Sequence, residues 1–188
     1  MAANGRNQFG EFLVRAGKSF GVHAVFITLL FALGWWATMG YDSASDQLKA
    51  EYESAPDPQM AIGMVLDTAR IKLWSWFSSS MLVSWLASIL FIGFVQTAEP
   101  RGEAEGAKRM PMWIVLMLIT LATTAAAWWW QLSLADIGAM LMASGYGVSV
   151  AAGFVLVLIA YWAGTGMSVK STMRPSVPLG YILPRLGN

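Results

Sequence analysis

Side chains able to do chemistry are scarce in this chain, whose 188 residues include one histidine, His23, and no cysteine. Metal and haem sites take several His, Cys or carboxylate ligands. A bis-histidine site within one protomer is therefore excluded, and neither a metal nor a cofactor is expected. His23 falls near one end of an apolar run, where an imidazole ordinarily bonds a carbonyl or water; a single axial ligand to a pigment or haem is the alternative reading. A Ser/His/Asp triad requires an acid within reach of the imidazole, and most of the carboxylates fall across the expected membrane from it. No phosphate-cradling Gly-rich loop, HExxH motif or nucleotide signature occurs. These residues point away from an enzyme and away from a nucleic-acid partner.

The elements that position His23 follow from the distribution of charge. Only 12% of the residues are charged, against roughly 25% in soluble domains. Long runs contain no Asp, Glu, Lys or Arg, and about 20 apolar residues suffice to cross a hydrocarbon core. The runs predict an all-α, polytopic membrane protein with four transmembrane helices over 19–41, 73–98, 110–132 and 145–168. Ser133 as N-cap with Asp136 three residues on predicts a short surface helix over 133–144. Trp35-Trp36-Ala37-Thr38-Met39 lacks a small-x-small cleavage site, so the first span is expected to stay as an anchor.

Cytoplasmic segments retain Lys and Arg. Arg6, Arg15 and Lys18, then Arg101, Lys108 and Arg109 in the 99–109 connection, then Lys170, Arg174 and Arg185 in the tail, all fall on one side. The other side receives the acid-rich 42–72 loop, in which Arg70 and Lys72 dissent, and a third connection without Lys or Arg. Both termini are thus expected to be cytoplasmic, in a cell inner membrane. Tryptophan and tyrosine favour the two interfaces. Trp35, Trp36, Trp74, Trp76, Trp128, Trp129 and Trp130 read as an outer aromatic belt, Trp113 and Tyr161-Trp162 mark the inner level, and Trp85 sits mid-span.

Outside the spans, Phe9, Phe12, Leu13, Ala16 and Phe20 recur at helical spacing and predict an amphipathic helix over 1–18, lying on the cytoplasmic surface and bending into the first span. Asp57-Pro58 signals a helix start, and Met60, Met64, Leu66, Ile71 and Leu73 carry that helix outward from the second span, to receive a partner or to fold back on the other spans. Asp67 and Arg70 have the spacing of a surface ion pair of little weight. The 99–109 segment reads as a plain solvated connection. Pro175, Pro178 and Pro184 exclude a long helix from the tail, 169–188. Its apolar Ser176–Leu183 stretch suits packing on a neighbouring chain or lying along the membrane surface.

Charges inside spans cost on the order of 2.5–3.5 kcal/mol and mark ion pathways, and none occurs in these four. The spans instead carry two small-residue ridges, Ser80, Ser84 and Ser88 on the second and Gly145, Ser149 and Gly153 on the fourth. Such ridges let helix backbones approach. One serves packing within the protomer, which leaves the other for a neighbour. Thr120, Thr123 and Thr124 can bond back to their own helix carbonyls. The leading expectation is a non-enzymatic accessory or scaffold subunit of a larger membrane complex, with the lipid bilayer and other membrane subunits, or further copies of this chain, as partners. An oligomeric channel or uncharged-solute transporter, lined by Ser80, Ser84, Ser88 or the threonines around a shared axis, is the alternative from another class. Pigment or haem association through His23 is the third.

Leu73-Trp74-Ser75-Trp76-Phe77 at the start of the second span, Ala107-Lys108-Arg109 before the third, and the four-span plan with a helical outer loop resemble the small integral-membrane proteins encoded in integrating conjugative elements and plasmid transfer modules. The resemblance covers the whole chain loosely and carries over no site residue. It implies a place beside a conjugative type IV secretion apparatus.

Overall fold

The computed structural model of the chain describes residues 2–97, 103–133 and 145–184. Its elements are α1 (Ala2–Ala37), α2 (Asp46–Glu51), α3 (Pro58–Thr97), α4 (Glu103–Ala107), α5 (Met110–Ser133) and α6 (Tyr146–Ser168), then 3-10 turns at Ser171–Ser176 and Gly180–Ile182, with no strand among the described residues. Four stretches, Gln8–Ala37, Pro58–Val95, Ala104–Gln131 and Tyr146–Ser168, are long and apolar enough to cross a membrane. The surface helix expected over 133–144 falls, beyond Ser133, outside the described residues. α3 and α6 form the central pair; α1 packs on both, while α5 packs mainly on α3.

α3 begins where the sequence places it. The Asp57 side chain accepts the Met60 N–H at 3.0 Å, and Pro58 takes the first helical position, where its missing N–H is harmless. At 1.5 Å per residue the helix is about 60 Å long, about twice the hydrocarbon thickness. Leu73–Thr97, about 37 Å, is enough to span, so Pro58–Lys72, the arm of this helix, is length beyond what one crossing needs. The arm is half covered. α2, capped by Ser45, lays Leu48 against Ile62, Leu66 and Ala69 of α3, with Ala44 beside it. The opposite row, Met60, Met64 and Ile71, stays open.

Arg70 does far more than form a surface pair with Asp67. Its Nε donates to Thr38 Oγ1 at 2.9 Å and its Nη2 to the Thr38 carbonyl at 2.8 Å, while Nη1 holds Asp67 at 2.8 Å. The guanidinium also stacks over the Trp35 ring, 4.4 Å from its centroid. A cation thereby meets the orphan carbonyls where α1 ends, the favourable place for it. Spacing along α3 shows Asp67 as a partner but is silent about Thr38, 32 residues away.

α1 differs from the expectation. It is one unbroken helix to Ala37, with no surface segment bending into a span. Phe12 lies against Gly93 of α3, and Glu11 pairs with both Arg15 and Lys170 at 3.1 Å. The chain from about Glu11 onward therefore runs beside the other helices, within the candidate spanning stretch Gln8–Ala37 that includes the expected first span. Gly17 and Gly21 lower helix propensity by about 1 kcal/mol each, yet without a proline the hydrogen-bond ladder continues through them. The helix stops before Tyr41, and Gly40 makes the turn at φ 77°.

The segments at the other end are also more ordered than their composition suggests. α4 makes the 99–109 connection more than a solvated link, because Gly106 lies so close to the Thr172 carbonyl that a Cβ there would collide with it. The tail folds back on its own bundle: Met173 and Val177 join Trp113, Leu116 and Tyr161 in one apolar cluster. This part of the tail's apolar surface is thus covered by its own chain, while Leu179, Tyr181 and Ile182 stay exposed.

The Arg70 clamp generates a test. Arg70→Ala should lower unfolding stability in detergent by about 2 kcal/mol, the scale of charge-assisted hydrogen bonds. Arg70→Lys should restore less than half, since an ammonium cannot reproduce the forked contact with Thr38; a fully stable lysine variant would contradict the clamp.

Candidate functional site

The chain's one imidazole sits where α1, α3 and α6 converge. His23 is 3% exposed. Its Nδ1 lies 2.8 Å from the Ser19 carbonyl and its Nε2 3.0 Å from Ser84 Oγ. A carbonyl only accepts, so Nδ1 carries the hydrogen and Nε2 receives the Ser84 hydroxyl. Ser84 Oγ also lies 3.3 Å from the Val157 carbonyl of α6. One serine hydrogen thus faces two acceptors on two different helices. Both imidazole nitrogens are engaged by protein, which leaves neither for the axial ligation considered from sequence. Among the described residues there is no group of three or more His, Asp or Glu able to hold a metal.

Both small-residue ridges are buried inside the protomer. Ser80, Ser84 and Ser88 face the interior of the bundle, and so do Gly145, Ser149 and Gly153. A Cβ on Gly153 would sit 2.6 Å from Trp76 and 2.8 Å from Phe77; one on Gly145 would sit 2.7 Å from Ala37 of α1. The expectation that one ridge is left for a neighbour is therefore not met, because α6 meets two helices and uses its glycines on both. Nor do the serines line an outer face that several copies could place around an axis. Ser84 alone of the ridge serines bonds across helices; Ser88 bonds back to the Ser84 carbonyl at 3.0 Å. The buried hydroxyls of Ser80 and Ser149 have no hydrogen-bond partner among the described residues. The ridges work mainly by being small.

The tryptophans divide into two kinds. Trp36, Trp129 and Trp130 are exposed at one end, as an interfacial belt requires, and Trp35, also exposed, stacks on Trp74 at 6.2 Å. Trp76 is core instead. Its Nε1 donates to the Thr124 carbonyl of α5 at 3.0 Å, and its ring contacts Phe77, Trp128 and Phe154. At the opposite end Trp113 is likewise buried, with Nε1 donating to Thr165 Oγ1 at 2.9 Å and the Tyr161 hydroxyl donating to its carbonyl at 3.1 Å. Thr120 and Thr123 bond back to the carbonyls of Leu116 and Ile119 as their helix allows. Thr124 does not; its hydroxyl has no partner among the described residues.

Sequence reasoning missed a third set of small residues, Ala160, Gly164 and Ser168, again four apart and again buried. Gly164 is what admits His23: a Cβ there would lie 2.6 Å from Cε1 and 3.0 Å from Nδ1. The spacing was present to be read, continuing the Gly153 ridge after the interruption at Val157.

This contact predicts a coupling. Gly164→Ala should destabilise the protein by about 1–3 kcal/mol through overpacking, and His23→Ala should remove much of that penalty, giving a double variant less unstable than the sum of the two singles. Additive losses in reversible unfolding would contradict the close approach. No protein-family model matches the chain, and neither the curated proteins nor the solved structures yield a match to it.

Proposed function

We propose that the protein is a non-enzymatic accessory or scaffold subunit of a larger bacterial inner-membrane complex, with both termini cytoplasmic and the α3 arm as the place where a partner sits. The observation that carries this reading is the open face of that arm. Met60, Met64 and Ile71 are 65%, 64% and 65% exposed, on helix that extends past the length needed to span. The other face of the arm is already buried under α2, so folding back has been satisfied and the methionine row remains. Apolar surface beyond the bilayer marks interaction sites, and methionine adapts readily to a partner's shape. A role beside a conjugative type IV secretion apparatus is compatible with such a subunit. The pore and pigment readings lose support, since the serines face inward and the imidazole nitrogens are engaged.

Extraction from native membranes in mild detergent should give a particle larger than the protomer, with co-purifying subunits identified by mass spectrometry. Met64→Asp should release those subunits while leaving the unfolding midpoint within about 1 °C of the parent, because exposed substitutions generally change stability by under about 0.5 kcal/mol. A lone, stable protomer from native membranes would sink the proposal.

A further inference from the structure

We propose that the tail re-enters the bilayer beside α6 and seats Leu179, Tyr181 and Ile182 against lipid, so that this non-helical segment is a membrane-embedded knuckle. It stands independently of the subunit reading.

Four consecutive residues of α6, Ala163 to Thr165 and Gly166, are buried, which means that every side of one full turn is covered. His23 and Ser19 cover Gly164, Trp113 covers Thr165, and Leu183 with Val177 covers Gly166. The tail therefore occupies the side of α6 that lipid would otherwise contact. Its depth follows from one bond, in which Trp162 Nε1 donates to the Pro178 carbonyl at 2.6 Å. Trp162 precedes the helix end at Ser168 by about 9 Å of rise, and helix side chains lean toward the N-terminus. Pro178 is thus carried back alongside the span.

Non-helical backbone survives at such depth only when its polar groups are satisfied by protein. Here the N–H groups of Val177, Gly180, Ile182 and Leu183 donate to the carbonyls of Arg174, Val177, Leu179 and Gly180. Arg174 Nη2 donates to the Leu183 carbonyl at 2.9 Å. Pro175 and Pro178 have no N–H to satisfy. The outer side of this self-bonded segment is apolar: Leu179, Tyr181 and Ile182 are 56%, 74% and 62% exposed. Leu179 sits at φ 55°, ψ 19°, a left-handed conformation that glycine adopts without strain. Glycine is instead required next door, where a Cβ on Gly180 would lie 2.8 Å from the Arg174 carbonyl. This turn leaves the Leu179 side chain outward, where it continues the exposed apolar surface of Tyr181 and Ile182.

Because the chain has no cysteine, single spin labels can be placed on the full-length protein through Tyr181→Cys and Ile182→Cys. Asp46→Cys on α2 serves as the water-facing control and Leu86→Cys on α3 as the lipid-facing one. The labelled proteins would be reconstituted in phosphatidylcholine/phosphatidylglycerol vesicles, with relaxation by oxygen compared with relaxation by a water-soluble nickel chelate. At both tail positions the oxygen-to-nickel ratio should exceed that at position 46 by at least threefold and approach that at 86. A ratio equal to that at position 46 would place the tail in water, and shielding from both reagents would place it against protein; either result overturns the proposal.

Discussion

Within a bilayer, helices gain nothing by hiding apolar surface from one another, and a polar group has no water to turn to. The α3–α6 contact meets both constraints, and the other helices are placed by it. Gly153 lets the rings of Trp76 and Phe77 lie directly on the α6 backbone, which brings Ser84 within reach of the Val157 carbonyl. α1 is then positioned twice, by His23 against Gly164 and Ser84 and by Ala37 against Gly145. α5 is held by two indole donors: Trp76 reaches its Thr124 carbonyl from α3, and its own Trp113 reaches Thr165 of α6. Each flanking helix thus contacts both members of the central pair.

The two ends repeat one device. Where α1 stops, Arg70 of α3 reaches the Thr38 carbonyl; where α3 approaches its end, Arg109 Nη1 reaches the Val95 carbonyl at 3.2 Å. A helix C-terminus carries unsatisfied carbonyls and partial negative charge, and near the membrane boundary a guanidinium from a neighbouring segment answers both. Basic residues next to spans are usually read as topological markers. In this chain two of them also close helix ends, so their positions reflect packing as well as orientation. That double duty explains why Arg70 breaks the otherwise acidic character of its loop.

The sequence made the spans, the start of α3 at Asp57-Pro58 and the small-residue ridges legible, since each rests on spacing along a single helix. It did not reveal partners. Four-residue spacing of Ser80, Ser84 and Ser88 says that something comes close, but whether it is another helix of the same chain is decided by the whole bundle. Trp74 and Trp76 differ by two positions on one helix, about 200° apart in projection; one flanks α1 and the other becomes core, although composition treats them alike. The tail was hardest to read. Its order comes from 3-10 turns and close glycine contacts with α4 and α6, and such features have no periodicity for a pattern to detect.

The interior polar groups bond mostly within the bundle. The Ser80 and Ser149 hydroxyls have no partner among the described residues, and Ser88 is turned onto its own helix. The Ser84 hydrogen is divided between an imidazole on α1 and a carbonyl on α6. Such an arrangement ties three helices together at one level. Outside this network the apolar side chains of Met60, Met64 and Ile71 on the arm and of Leu179, Tyr181 and Ile182 on the tail are exposed.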